Sequence, residues 1–236
     1  MLSDEFIDCA VRAAKYVAIN MIRPALCGIC VEFLASETVI TATDGHRLTT
    51  YKVPDVIDGG ALIIPPFILV QAAKVKKASW RIYKHNERVV FASATVKIMS
   101  RLINPPYPNW RQVMPKYQQN TFTVNRAELL QAVKNLLLCA CKETKQITFA
   151  FSGGILTLTA DDVERGAHGI ETVRGNYVGK ELTVAYNGQF ILDTLAAITS
   201  DSICWETDMP TSAATVRPYG VDEAGLYLIM PLRIVA

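Results

Sequence analysis

The chain has 236 residues, half of them hydrophobic, and a formal net charge of +2. This length allows one large domain or two of about 118 residues each. The small charge neither requires nor excludes nucleic acid, because a protein that grips phosphates tightly usually has a stronger basic bias. No apolar run reaches the roughly 18 residues that a membrane helix needs, and the acidic N-terminus does not have the order of a signal peptide. We therefore expect a cytoplasmic protein with no membrane partner.

The first half of the chain is predicted to contain two helices among several strands. Apolar residues recur at helical spacing over residues 4–17, and Ser3 is placed to cap this helix. Pro65-Pro66 opens a second helix that extends to about Val75, since proline is tolerated in a first turn. Alternating apolar residues predict strands at 26–34, 38–44, 47–53, 61–64, 79–85, 88–93 and 96–103.

The second half repeats this order after Asn104-Pro-Pro-Tyr-Pro108, which cannot be regular structure. Asn125 caps a third helix and Asn187 begins a fourth. Strands are predicted at 146–152, 155–161, 168–174, 182–186, 202–208, 213–218 and 225–234. Phe67-Ile-Leu recurs as Phe190-Ile-Leu, 123 positions later. A repeat of this size predicts two α+β domains, 1–118 and 119–236, each with an antiparallel sheet that carries two helices on one face.

The sequence has no recognisable catalytic or metal-binding motif. Its three histidines, none with a metal-ligand neighbour at useful spacing, are His46, His85 and His168. Cys27-Gly-Ile-Cys30 has the spacing of a metal or redox site but lacks a second pair, which favours buried thiols in a reducing compartment. The acidic cluster Asp161, Asp162 and Glu164 is interpreted as a solvated hairpin loop. We therefore expect no catalytic residue, no metal and no cofactor, and the chain is not expected to be an enzyme.

One stretch, Ile40-Thr-Ala-Thr-Asp-Gly-His-Arg-Leu-Thr-Thr50, is more specific than the rest. Asp44-Gly45 between two strand-like runs indicates a hairpin, which taken alone is a better account of Asp44 and His46 than a catalytic pair. The other distinctive motifs are Tyr107-Pro-Asn-Trp-Arg-Gln-Val-Met-Pro115, Asn187-Gly-Gln-Phe190 and Met230-Pro-Leu-Arg233. In their order and spacing, over nearly the whole chain, these motifs resemble the second and third domains of the bacterial DNA polymerase III β subunit family, the sliding clamps, with the first domain absent.

The resemblance implies a non-catalytic processivity factor that encircles duplex DNA without reading its sequence. It also implies a hydrophobic pocket between the two domains, which binds short linear peptides of a DNA polymerase and a clamp loader. The pocket residues carried over from the family are Leu26, Thr43, Gly45, His46, Arg47, Leu48, Pro108, Val113, Asn187, Phe190, Pro210, Ser212, Leu228, Ile229, Met230, Pro231, Leu232 and Arg233. Gln112 and Phe190 replace the family's usual Arg and Tyr, so the peptide preference is expected to differ. An ordinary core position is the alternative for Leu48, Met230 and Leu232.

Family clamps encircle DNA with six such domains, so two-domain subunits predict a homotrimer whose edge strands pair across subunits. A domain of about 118 residues is roughly 35 Å across, and six on a circle leave a hole about 35 Å wide, whereas four leave about 15 Å. Only the larger hole admits B-DNA, which is roughly 20 Å across. The cations expected to face the DNA are Arg12, Lys15, Lys74, Lys76, Lys77, Arg126 and Lys134.

An ordinary solvated surface is the other interpretation of these cations. The fourth helix, 187–198, offers Asp193 and no basic residue, which weakens a uniformly basic lining. This leaves a second hypothesis open, in which the chain is a clamp-derived peptide-binding module, monomeric or dimeric, that does not encircle DNA.

Overall fold

A computed structural model describes residues 2–56, 60–75, 78–104, 106–221 and 225–233. These residues form four α-helices and fifteen β-strands, which confirms the predicted α+β class. The chain divides into two compact units, Met1–Val113 and Met114–Ala236. The division follows a short 3₁₀ turn at Trp110–Val113, a few residues before the predicted limit at 118. No helix in the described ranges is long and apolar enough to cross a membrane.

The first unit contains two helices and two antiparallel sheets. Helix α1 spans Asp4–Ala13 and α2 spans Pro66–Lys74. The strands are β1 Ile29–Phe33, β2 Thr38–Thr43, β3 Arg47–Val53, β4 Gly60–Ile64, β5 Arg81–His85, β6 Arg88–Ala92 and β7 Lys97–Arg101. One sheet has the order β4-β1-β2-β3 and the other the order β5-β6-β7.

The second unit has the same two-helix plan with one continuous antiparallel sheet. Helix α3 spans Arg126–Leu137 and α4 spans Gly188–Ala197. The strands are β8 Asn120–Asn125, β9 Gln146–Ser152, β10 Ile155–Asp162, β11 Ala167–Val178, β12 Leu182–Asn187, β13 Ser202–Thr207, β14 Ala214–Tyr219 and β15 Leu226–Ile229. Their order in the sheet is β12-β9-β10-β11-β8-β13-β14-β15.

The two units repeat the same packing. Helix α1 packs on α2, and α3 packs on α4. The repeated Phe-Ile-Leu motif lies in α2 and α4, where Ile68 and Ile191 are both fully buried. Strand β8 pairs with β13 in the second unit, and an isolated bridge between Leu2 and Trp80 takes the equivalent place in the first. The cores are thus built from the same pattern of helix and strand contacts.

Three predicted elements have clearly different limits in the structure, and one observed strand was not predicted. Helix α1 ends at Ala13, because the chain tightens into a 3₁₀ turn before the extended Val17. The strand predicted at 26–34 begins only at Ile29, after a 3₁₀ turn that Pro24 opens. The strand predicted at 225–234 ends at Ile229, shortly before Pro231, which has no N–H to donate to a ladder. Strand β8 was not predicted, although its alternating burial is regular.

An ion pair closes the hairpin between β2 and β3. Asp44 Oδ1 accepts the N–H groups of His46 at 2.9 Å and Arg47 at 3.0 Å, and Asp44 Oδ2 lies 3.0 Å from Arg47 Nε. Arg47 Nη2 then donates to the Lys15 carbonyl at 2.7 Å, and its guanidinium lies 4.7 Å from the centre of the Tyr16 ring. The Arg47 side chain therefore anchors the hairpin to the segment that follows α1, through one hydrogen bond and one cation–π contact.

The second unit repeats this arrangement between β10 and β11. Asp162 Oδ1 accepts the Arg165 N–H at 3.1 Å, Asp162 Oδ2 lies 2.5 Å from Arg165 Nε, and Arg165 Nη2 donates to the Ala140 carbonyl at 2.8 Å. The hydrogen bond from Arg165 lowers the pKa of Asp162. Asp162 is buried, so the interpretation of the acidic cluster as a solvated loop is wrong for this residue.

We predict that Arg47→Met destabilises the protein by about 3 kcal/mol, because the substitution leaves a poorly exposed carboxylate without its cation. The matched control is Lys52→Met, which removes a cation from the same strand. Lys52 pairs with Glu37 at 2.9 Å, but its side chain is 68% exposed, so the expected loss is below about 1 kcal/mol. Urea unfolding followed by circular dichroism measures both values. Equal losses for the two variants would contradict the role given to the Arg47 ion pair.

Candidate functional site

A cavity of about 630 Å³ lies in the second unit, and we call it the C-terminal cavity. It is lined by Pro210, Thr211, Met230, Pro231, Leu232 and Arg233. Five of these six residues belong to the predicted pocket, and Thr211 was missed. Met230 is 41% exposed although it is apolar. The cavity therefore presents apolar side chains to solvent, with one cation, Arg233, beside them.

Backbone hydrogen bonds hold both walls of the C-terminal cavity. One wall is the turn between β13 and β14, in which Ser212 N–H donates to the Met209 carbonyl at 3.0 Å and Ser212 Oγ accepts the Met209 N–H at 2.9 Å. The other wall follows β15, and its Leu232 N–H donates to the Ala185 carbonyl at 2.7 Å. A cavity held by main-chain contacts is largely formed before any ligand arrives, as small-molecule and peptide sites usually are.

The other predicted residues of the second unit lie outside this lining. Asn187 Oδ1 caps α4 by accepting the N–H groups of Gln189 at 2.9 Å and Phe190 at 3.4 Å. Phe190 is half-buried. Leu228 and Ile229 belong to β15 and are buried in the core, where they pair with β14. Their burial accounts for their apolar character, and a role in ligand binding stays a prediction.

A smaller cavity, of about 340 Å³, lies in the first unit. It is lined by Arg23, Pro24, Ala25, Leu26, Pro106 and Pro108, of which Leu26 and Pro108 were predicted. The segment that carries Pro108 is anchored through Glu32, which accepts hydrogen bonds from Trp110 Nε1 at 3.2 Å and from Arg111 at 2.9 Å. The prolines at 24 and 106 were the available signal for the missed residues, since proline in an exposed loop gives a rigid apolar wall.

The remaining predicted residues of the first unit divide between the surface and the interior. Gly45 and His46 are exposed at the tip of the hairpin, where Gly45 has φ of 93°. Thr43 Oγ1 accepts the Gly45 N–H at 3.1 Å and donates to the Arg47 carbonyl at 2.7 Å. Leu48 is buried in β3, and Val113 is exposed. Arg47 is buried and pairs with the half-buried Asp44, so its guanidinium is already bound within its own unit.

The cations predicted to face DNA also differ in their surroundings. The three exposed ones are Lys15, Lys74 and Lys134, Arg12 is half-buried, and Lys76 and Lys77 lie outside the described residues. Arg126 is half-buried, and it donates to the carbonyls of Ser200 at 2.8 Å and Leu195 at 3.2 Å, which closes the C-terminal end of α4. Arg126 thus has a structural role that its position in the sequence did not indicate.

Over the parts of the chain that the structure describes, no group of three or more His, Cys, Asp and Glu side chains is arranged to hold a metal ion. Cys27 lies in the 3₁₀ turn and donates to the Asn20 carbonyl at 3.1 Å. Cys30 lies in β1, and burial raises the pKa of its thiol to about 12. All six cysteines are free thiols.

We predict that iodoacetamide at pH 8 alkylates Cys27, Cys139 and Cys141 in the native protein and spares Cys9, Cys30 and Cys204. The first three are half-buried and the last three are buried, and a thiol must be accessible and ionised to react. Peptide mass spectrometry measures the labelling, and protein in guanidinium chloride, where all six should react, is the control. Alkylation of Cys30 as fast as Cys27 would contradict the burial of this thiol.

Comparison with known proteins places both halves in one family. Residues 3–109 match the model described as "DNA polymerase III beta subunit, central domain", and residues 111–233 match "DNA polymerase III beta subunit, C-terminal domain". The beta sliding clamp of Staphylococcus aureus is 25% identical over 244 residues, which cover 98% of this chain and 64% of that protein. The chain thus spans less than two thirds of the length of the curated relatives it matches.

Solved structures agree on the fold. The DNA polymerase sliding clamp of Pseudomonas aeruginosa matches with a TM-score of 0.91 and 22% identity, covering 98% of this chain and 65% of that one. The DNA polymerase III beta chain of Streptococcus pneumoniae matches with a TM-score of 0.93 and 22% identity, covering 99% of this chain and 64% of that one. These matches show that the chain shares the fold of these proteins.

Proposed function

This chain belongs to the DNA polymerase III beta subunit family, and on that premise we propose that it is a DNA sliding clamp, a non-catalytic processivity factor that encircles duplex DNA and tethers a DNA polymerase. The observation that carries the proposal is that models of two clamp domains match in order along the chain. The Staphylococcus aureus relative is itself named a beta sliding clamp. The two units with their repeated packing are consistent with this function.

We propose that the ring forms from three copies, because the 236 residues supply two domains each. Within the described ranges, β7 pairs only with β6, and residues 167–174 of β11 pair only with β10. Both of these stretches therefore present an edge with unpaired backbone groups, and such edges readily pair with a strand of another chain. A contact between two different edges is heterologous, and a heterologous contact closes into a ring when its rotation allows.

Contact with DNA in such a ring would be loose and independent of sequence. Lys15, Lys74 and Lys134 are exposed on or just after helices, where they can approach phosphates. Phosphate contacts supply affinity and orientation without reading bases, and they allow sliding. A protein held mainly by its closed topology does not need a strong basic bias, which agrees with the net charge of +2.

We predict that the purified chain is a trimer by light scattering over a concentration series. One chain has a mass of 26.0 kDa, so the expected mass is three times that value. Protein held on a nicked circular plasmid should also be released when the plasmid is linearised, because a ring slides off a free end. A monomer or dimer that persists at high concentration, or retention on linear unblocked DNA, would contradict encirclement.

We also propose that the C-terminal cavity binds the short peptides of the polymerase and the loader. Its volume lies within the range of about 300–1,000 Å³ that is common for ligand sites. Met230 and Leu232 offer apolar surface for a leucine or phenylalanine of the peptide, and Arg233 offers a donor for a backbone carbonyl or a carboxylate. A largely apolar cavity with a single cation in its lining suits recognition by one or two anchors.

We predict that Met230→Ala weakens binding of a peptide containing a Gln, a Leu and a Phe by about tenfold, since a buried anchor contact is worth more than about 1 kcal/mol. The matched control is Met99→Ala, because Met99 is a methionine of similar exposure, 48% against 41%, that lies in the other unit. Fluorescence anisotropy of the labelled peptide gives both affinities. Equal effects of the two substitutions, or no binding at high micromolar peptide, would contradict the assignment.

A second candidate function is a peptide-binding module that does not encircle DNA. The observation in its favour is electrostatic. Helix α4 carries no basic residue, and Arg126 of α3 is bound to the carbonyls at the end of α4. Peptide binding by a monomer that DNA does not retain would support this candidate over the ring.

A further inference from the structure

The three-stranded sheet of the first unit carries a concentration of positive charge that the proposed function does not use. Residues 79–103 hold five of the 24 Lys and Arg residues but only one of the 22 Asp and Glu residues. This segment therefore has a net charge of +4, and the rest of the chain has a net charge of −2. The net charge of the whole protein, +2, therefore does not reveal this uneven distribution.

The register of the sheet sorts these residues into three rows on one face, which we call the outer sheet face. The first row is Arg81, Ala92 and Lys97, the middle row is Tyr83, Val90 and Met99, and the third row is His85, Arg88 and Arg101. The residues between these rows point to the opposite face. There Val89 and Phe91 are fully buried, and Trp80 packs edge-on against Phe91. The outer sheet face is therefore the solvent side of the sheet.

The middle row forms an apolar strip between two basic rows. Tyr83 is 44% exposed and Met99 is 48% exposed, with the buried Val90 between them. The first and third rows lie four residues apart along the strands, which is about 13 Å. Lys97 Nζ lies 6.0 Å from the centre of the Tyr83 ring, so the aromatic side chain and a cation are side by side.

The cations of the outer sheet face have no acidic partner among the described residues. None of the ion pairs found there includes Arg81, His85, Arg88, Lys97 or Arg101. The one carboxylate of the segment, Glu87, lies at the hairpin tip, where a cavity of about 340 Å³ is lined by His85, Asn86, Glu87, Arg88 and Arg101. The solvated charges of this face are thus available to a polyanion.

We propose that the outer sheet face binds single-stranded nucleic acid. A base would stack on Tyr83 in the middle row, and the phosphates on either side would contact the cations of the first and third rows. Exposed aromatic side chains on a sheet, flanked by positive charge, are a recurrent way to bind single strands without sequence preference. A duplex keeps its bases stacked on one another, so it would meet the cations of this face but not the Tyr83 ring.

A single strand fits this face better than an acidic peptide does. A peptide anchor needs an apolar hollow, whereas the cavity at the third row is lined by charged and polar side chains. The middle row offers no hollow at its centre either, because the Val90 side chain there is only 1% exposed. This binding goes beyond the proposed clamp function, and it depends neither on ring formation nor on the C-terminal cavity.

Fluorescence anisotropy on the full chain, with a labelled oligothymidine and a duplex of equal length, tests the proposal. Tyr83→Ala should weaken binding of the single strand by about tenfold and leave duplex binding unchanged, whereas Tyr83→Phe should retain binding because the ring stays. The double variant Arg88→Ala and Arg101→Ala should reduce the slope of log affinity against log salt for the single strand by about 1.4. Circular dichroism checks that each variant is folded.

Lys84→Ala is the matched control, because it removes one cation from β5 on the opposite side of the same sheet. Its affinity for the single strand should stay near that of the wild type. The proposal is overturned if Tyr83→Ala binds the oligothymidine as the wild type does, if Lys84→Ala is as harmful as the arginine variants, or if an acidic peptide binds more tightly than the oligonucleotide. Clamp assembly is measured separately, since Tyr83→Ala should leave the solution mass unchanged.

Discussion

The structure of each unit depends on one ion pair between a poorly exposed aspartate and an arginine. Asp44 with Arg47 and Asp162 with Arg165 close a hairpin in the same way, and each guanidinium continues to a carbonyl beyond the end of a helix. Each pair satisfies several polar groups at once, which is the condition under which a poorly exposed charge is tolerated. The hairpin, its strands and the segment that follows the helix are thereby held in one arrangement.

Arginine and lysine have different roles in this chain because their head groups differ. The planar guanidinium of Arg126 reaches two carbonyls at once, as Arg47 and Arg165 reach a carboxylate and a carbonyl. These arginines therefore belong to the architecture. Lys15, Lys74 and Lys134 keep compact, strongly hydrated charges in solvent. A count of basic residues on helices does not separate these roles. Of these residues, only the exposed lysines are available for the loose phosphate contacts of the proposed clamp function.

The surfaces that carry the proposed functions lie on rigid parts of the units. The C-terminal cavity forms where β15 stops before Pro231, and main-chain hydrogen bonds hold both of its walls. The outer sheet face takes its shape from the pairing of β5, β6 and β7, which fixes the spacing of its rows. The first site is apolar with one cation, whereas the second is basic around an aromatic ring. They therefore suit partners of different chemistry, a peptide and a polyanion.

The sequence by itself determined the α+β class, the repeat and the family. The spacing of apolar residues within a segment predicts whether it is a helix or a strand, and the order of the motifs can be read directly along the chain. It located β3 at its observed limits and found five of the six residues that line the C-terminal cavity. Only the tertiary structure decided that Arg47 and Arg126 are bound internally, since their carbonyl partners lie 32 and 74 positions away. Strand register likewise decided that Arg81, Tyr83 and Arg101 share one solvent face, because the alternation within each strand does not specify which residues of neighbouring strands lie opposite each other.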